Sequence, residues 1–297
     1  MSEFVMRPAF LTRWNRTCLG TLLLALAMHG SSASGATNLP AMDCEVVKYL
    51  GTSGRNEVML NRIVPYAWAQ MGGVHVDTRH TPNRFYVFDS ANSRILGFYG
   101  FRPANPDGTF PPADLVIGQP NGWDHGAANG CNTRSNVAPT DRTLALQPFP
   151  NVASTAEGPS SGMMATDAQG NLYVADMWNN RVLKFNDPFA TDCIADDVWG
   201  ETSFTNRSSP ATPSASSLNL TRGPSAGVEV DAANNLWVAD SGNSRVLRFR
   251  AGSKTADLVL GQSSFTTADS GSGANQMNGC TGVRVHPVTG EVFVLDG

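Results

Sequence analysis

Gly227-Val-Glu-Val-Asp231 opens a stretch that continues Ala-Ala-Asn-Asn, Leu236-Trp-Val-Ala-Asp240, Ser-Gly-Asn-Ser, Arg245-Val-Leu-Arg-Phe249 and, after a short polar gap, Ala256-Asp-Leu-Val-Leu-Gly-Gln262. Four short runs of Val, Leu, Trp and Phe alternate with gaps of Asn, Gly, Ser and Asp. The runs have strand composition and the gaps turn composition. Four strands with short connections predict an antiparallel meander. Such a sheet cannot bury both faces alone, so it needs copies of itself on either side.

The copies are present. The second run recurs as Phe85-Tyr-Val-Phe-Asp89, Leu172-Tyr-Val-Ala-Asp176 and Val292-Phe-Val-Leu-Asp296. The third recurs as Arg94-Ile-Leu-Gly-Phe98 and Arg181-Val-Leu-Lys-Phe185. The fourth recurs as Asp114-Leu-Val-Ile-Gly118 and, one residue shorter, Asp197-Val-Trp-Gly200. The first recurs as Val74-His-Val-Asp77, Val283-Arg-Val-His286 and, more weakly, Met164-Ala-Thr-Asp167. The order never changes. The predicted fold is an all-β propeller of four-stranded antiparallel blades, with about three and a half blades in this chain.

Two copies carry the longest match, Asp176-Met-Trp-Asn-Asn-Arg-Val182 and Asp240-Ser-Gly-Asn-Ser-Arg-Val246, each after an Asn-Leu-(Tyr/Trp)-Val-Ala run. These residues resemble the NHL repeat, in particular its secreted bacterial form, whose fourth strand ends in Gly-Gln. The resemblance covers residues 72–297 and implies a propeller, commonly of about six blades. The chain is therefore expected to be a fragment of a longer protein; closure by self-association is the alternative. A propeller says little about function, because the fold hosts unrelated activities.

In each copy an Asp closes the second strand and an Arg opens the third. The Asp can accept turn N–H groups, and the Arg can pair with it. Asp89, Arg94, Asp176, Arg181, Asp240, Arg245 and Asp296 are therefore read as structural. A catalytic carboxylate would stand at one blade, not at all of them.

Blades are expected over residues 72–119, 162–200, 227–262 and, partially, 282–297. Residues 37–71 carry no clear repeat beyond a partial blade. Residues 120–161 form a long insertion rich in Asn, Gly and Pro, and connections of that length are functional or disordered.

The N-terminus reads separately. Arg7, Arg13 and Arg16 precede the apolar run Leu19 to Met28, and small residues follow through Ala36. This is the pattern of a secretory signal peptide over residues 1–36, with a hydrophobic run too short to span a bilayer as a mature helix. The expectation is a secreted or periplasmic protein without a mature transmembrane helix. Removing the leader takes Cys18 and leaves Cys44, Cys131, Cys193 and Cys280. An even count in an exported chain suggests two disulfides, and three pairings are open. Closing a long loop stabilises by about 3–5 kcal/mol. A net charge of −4 over 297 residues argues against a nucleic-acid partner.

Chemistry is harder to place. No Gly-x-Ser-x-Gly elbow, Lys-bearing phosphate loop or His-Glu-x-x-His helix occurs. The variable position of most interest is the second residue of the first strand: His75, Ala165, Glu229 and Arg284. First strands line a propeller's channel, so His75, Glu229 and Arg284 are the candidate ligand-binding residues, suited to an anion or a metal. His80, His125 and His286 read as turn or loop residues. Three functions fit. The first is a non-catalytic module binding a protein, peptide or glycan and needing no cofactor. The second is a metal-dependent propeller enzyme, amidating-lyase-like or lactonase-like, with a divalent ion on the axis. The third is the ectodomain of a longer receptor.

Overall fold

The computed structural model describes residues 71–90, 93–101, 113–118, 138–146, 163–220 and 226–297. The expected leader, the segment up to residue 70, Cys44, Cys131, His125 and most of the insertion lie outside them.

The chain is a β-propeller. Its first blade comprises β1 (Met71–Asp77), β2 (Arg84–Asp89), β3 (Arg94–Phe98) and β4 (Leu115–Ile117). The second comprises β5 (Met164–Thr166), β6 (Leu172–Asp176), β7 (Arg181–Phe185) and β8 (Asp197–Trp199). The third comprises β9 (Val228–Val230), β10 (Leu236–Asp240), β11 (Arg245–Phe249) and β12 (Leu258–Leu260). A two-stranded sheet follows, β13 (Gly282–Val285) with β14 (Val292–Leu295). Every blade is an antiparallel meander in chain order. The first strands lie side by side, β1 against β5, β5 against β9 and β9 against β13.

This stacking explains the composition. In β6 and β10 every residue is buried. A strand covered on both faces reads as a continuous apolar run instead of an alternating one. The core runs between blades: Tyr86, Phe88 and Ile95 join Tyr173, Phe185 and Trp199, then Leu236, Val238 and Phe249. Trp237 and Ala239 pack in turn with Cys280 and Val283 beneath the last hairpin.

The fourth strand of the second blade is corrected by the register. Leu183 pairs with Val198 and Leu247 with Val259, so Val198 is the equivalent of Val259. The Asp that precedes the strand is Asp196, not Asp197. Asp114, Asp196 and Asp257 donate N–H to Gly97, Lys184 and Arg248 at 2.8, 2.8 and 2.9 Å. The second blade's strand is as long as the others.

Each Asp–Arg pair faces itself across the hairpin in register: Asp89 with Arg94, Asp176 with Arg181, Asp240 with Arg245. Arg Nε donates to Asp Oδ2 at 2.7, 2.6 and 2.6 Å, and all six side chains are fully buried. Burial raises the Asp176 and Asp240 pKa, while the Arg, an Asn side chain and a backbone N–H oppose the rise by stabilising the carboxylate.

That backbone N–H comes from a segment missed in the sequence reading. Asp176 Oδ1 accepts from Ala145 N at 2.7 Å, Asp240 Oδ1 from Asn219 N at 2.6 Å, and Asp296 Oδ1 from Asn278 N at 2.6 Å. The next N–H along reaches the preceding blade's turn: Leu146 to Ser93 Oγ, Leu220 to Asn180 Oδ1 and Gly279 to Ser244 Oγ. The inter-blade connections are therefore straps, each tying one blade to the next. Arg181 Nη2 donates to the Thr140 and Thr143 carbonyls, and Arg245 Nη2 to those of Ser214 and Ser217. Residues 138–146 of the long insertion are one such strap.

Candidate functional site

The varying first-strand position comes together as a group. His75 stands opposite Tyr86, Ala165 opposite Tyr173, Glu229 opposite Trp237 and Arg284 opposite Phe293. Because cross-strand partners share a sheet face, all four side chains occupy the same face of their blades, the one directed at the next blade. His75 Nε2 and Thr166 Oγ1, from neighbouring blades, share a hydrogen bond of 2.8 Å. Arg284 Nη1 donates to Glu229 Oε2, again between neighbouring blades. Ala165 holds only a methyl group between them.

The electrostatics follow from this placement. Protein surrounds the His75 ring on nearly every side, although a strip stays open to solvent. Its pKa is lowered to about 4, first by burial and next by the Arg284 charge, with Asp77 opposing and Arg79 adding to the depression. His75 is thus neutral near pH 7. Burial raises the Glu229 pKa, and the Arg284 guanidinium opposes the rise. The group presents one ion pair, one neutral imidazole and one hydroxyl.

The opposing aromatic residues show how blade 1 differs. Tyr173 donates to Asp167 Oδ2 at 3.3 Å, and Trp237 Nε1 to Asp231 Oδ2 at 2.9 Å. Both aspartates also gather the backbone of a tight turn, with Asn171 or Asn235 four residues on. In blade 1 that turn is longer, and Arg79 takes the carboxylate of Asp77 through Nε at 2.6 Å and through Nη2. The Tyr86 hydroxyl is left buried without a partner among the described residues. His80 lies in this turn, 3.5 Å from Asp77. His286 holds the corresponding turn of the last hairpin, its Nδ1 accepting from Val288 and Thr289 backbone N–H groups at 3.3 and 3.1 Å.

The described residues of this group do not fit a divalent metal. Among the described residues no three His, Cys, Asp or Glu side chains converge. The Glu229 carboxylate already faces a guanidinium, which would repel a cation at the same place. Cys193 and Cys280 carry free thiols, so the Cys193–Cys280 pairing is not formed. Cys280 is buried, and its Sγ donates to the Arg245 carbonyl oxygen at 3.0 Å.

The sequence matches no protein-family model and no curated protein. Among solved structures the chain is similar to virginiamycin B lyase from Staphylococcus aureus, at 11% identity and a TM-score of 0.33, over 79% of this chain and 72% of that one. It is similar to a luciferin-regenerating enzyme at 12% identity and a TM-score of 0.30, over 76% and 83% of the two chains. A gluconolactonase from Xanthomonas campestris matches at 11% identity and a TM-score of 0.27, over 77% and 85%. Likenesses this distant decide nothing about substrate or mechanism. The fold stands on the sheets themselves.

Proposed function

We propose that the chain is an exported binding module of the NHL-repeat kind, without catalysis of its own, that takes a protein, peptide or glycan at the group formed by His75, Thr166, Glu229 and Arg284. One observation carries this reading. The aromatic second strands and the Asp–Arg hairpins repeat their chemistry from blade to blade, whereas this first-strand position changes from His to Ala to Glu to Arg. Repetition serves the scaffold, and departure from it at a position the blades share marks a ligand surface. The leader-like residues 1–36 support export. Among the described residues, no nucleophile–base–acid set supports hydrolysis. The test is to probe glycan and peptide arrays with the secreted protein and with the double variant His75→Ala/Arg284→Ala. Binding by the parent that the variant loses supports the reading. Binding that survives the double substitution removes the site from it.

An enzymatic reading draws on a different observation. A neutral imidazole hydrogen-bonded to a hydroxyl is the arrangement of a base and its substrate or nucleophile. It favours proton abstraction by His75 over metal-assisted chemistry, which the ion pair at Glu229 disfavours. Retained turnover in His75→Gln, for any substrate found, would remove it.

A further inference from the structure

Asp77, Asp167 and Asp231 hold the same place in three successive blades. Each stands two residues past the varying first-strand position, and an aromatic residue faces that position across the hairpin: Tyr86, Tyr173 and Trp237. Register alone therefore offers each aromatic donor the same acceptor. Two blades use it. The Tyr173 hydroxyl donates to Asp167 Oδ2 at 3.3 Å, and Trp237 Nε1 donates to Asp231 Oδ2 at 2.9 Å.

Blade 1 does not. Tyr86 follows Asp77 by nine positions, whereas Tyr173 and Trp237 follow their aspartates by six. The longer turn lays Arg79 on Asp77, Nε on Oδ1 at 2.6 Å and Nη2 on Oδ2. The oxygen that the aromatic donor takes elsewhere is thus occupied. Tyr86 is fully buried, and its hydroxyl has no hydrogen-bond partner among the described residues. Burial, and after it the Asp77 charge, raise its pKa, so the hydroxyl keeps its proton and remains a donor. A buried donor without an acceptor carries a desolvation cost that a bond would relieve. The two rivals for Asp77 differ in one respect. The Arg79 side chain is 28% exposed and regains water when it leaves, whereas Tyr86 has no water to turn to.

We infer that Asp77 is a two-position acceptor and that Arg79 is the removable fastener of the turn 78–83. When Arg79 swings into solvent, the Tyr86 hydroxyl takes Asp77 Oδ2, and blade 1 adopts the arrangement of blades 2 and 3. The buried carboxylate is then never left without a donor, which is the large cost of breaking a buried pair. The turn is a strap poised to open beside His75, whose ring stacks on that of Tyr86 with centroids 6.3 Å apart. The inference does not depend on which ligand the group at His75 takes.

The experiment is a thermal denaturation cycle on the full chain, comparing the parent, Tyr86→Phe, Arg79→Ala and the double variant. In the parent, Tyr86→Phe removes an unbonded hydroxyl, so the Tm stays or rises. With Arg79→Ala in place, the same substitution removes a hydrogen bond and lowers the Tm by about 2–4 °C. A Tyr86→Phe effect of the same sign and size in both backgrounds overturns the proposal, as does a lowered Tm for Tyr86→Phe alone. A crystal structure of Arg79→Ala, or of Arg79→Leu should the alanine variant not fold, reads the exchange directly. Tyr86 Oη is expected at about 3 Å from Asp77 Oδ2. His80 Nε2 already lies 3.5 Å from that oxygen. Finding His80 or water on Asp77, with the Tyr86 hydroxyl still unbonded, also overturns the proposal.

Discussion

Arg245 donates through Nε to Asp240 Oδ2 at 2.6 Å, and the same guanidinium reaches the carbonyls of Phe265, Ser214 and Ser217. The ion pair therefore closes one hairpin and also holds the strap before it and the loop after it. Removing one partner of a buried pair leaves an uncompensated charge and costs about 3–5 kcal/mol. Asp240→Ala is expected to lower the unfolding free energy by that amount in a urea titration. The apolar double variant Asp240→Leu/Arg245→Met should recover part of it and no more, because three carbonyls and the Asn219 N–H lose their partners. Full recovery would show that the strap contacts contribute nothing.

Gly200 tests the strap from the other side. Its φ is +90°, and a Cβ there would stand 2.7 Å from both the Asn180 carbonyl oxygen and Leu218 Cδ1. Gly118 and Gly261 meet Leu144 and Met277 in the same way. Gly252 has φ +75° with nothing within 4 Å. Gly252→Ala should therefore cost only the backbone strain, about 1 kcal/mol, and Gly200→Ala distinctly more, about 2–3 kcal/mol. Equal costs by thermal denaturation would mean that the strap yields freely.

The blades were legible because each strand couples a fixed composition to a fixed order, and Asp176 and Arg181 recur with the same spacing as Asp240 and Arg245. The straps were not, because most of their bonds come from backbone groups, which leave little trace in side-chain type. A faint signal exists: Thr140, Thr143, Leu144 and Leu146 have the spacing of Ser214, Ser217, Leu218 and Leu220. Turn hydroxyls and core leucines explain it, since Thr143 Oγ1 and Ser217 Oγ each accept a backbone N–H three residues back. The misplaced Asp197 came from reading composition without register, as two aspartates stand in succession there. His75, Glu229 and Arg284 were legible as a set, but their pairing was not. Which neighbour each long side chain reaches depends on the angle between blades, and no local pattern encodes that.

The thiols should differ in reactivity. Burial pushes the Cys280 thiol up to about 12, and burial raises Cys193 as well, although its residue is only half-buried. The thiolate is the reactive form, so both are slow. With iodoacetamide at pH 8, Cys193 is expected to label over hours and Cys280 only on unfolding, as read by peptide mass spectrometry. Labelling of Cys280 at the rate of Cys193 would contradict the buried placement. Failure of both to label in denaturant without reductant would mean that they are disulfide-bonded in the secreted protein.

His75 sets a pH dependence whose sign is fixed by its depressed pKa. In the unfolded chain the imidazole titrates near 6.5, and in the folded protein near 4. Above pH 6.5 both states are neutral and the full stability is present. Between 6.5 and 4 the unfolded chain takes up a proton that the folded protein refuses, so stability falls with pH. Below 4 both are protonated and the penalty is constant, at about 3–4 kcal/mol. Glu229 acts in the opposite sense, because its raised pKa lets the folded state accept a proton first. The charges of Arg284, Asp77 and Arg79 act on the same ring. Comparison with His75→Gln removes the contributions that both proteins share. The difference in unfolding free energy between parent and variant should therefore shift by about 2–3 kcal/mol against the parent from pH 7 to pH 4. A flat difference would place the imidazole in solvent and remove it from the inter-blade group.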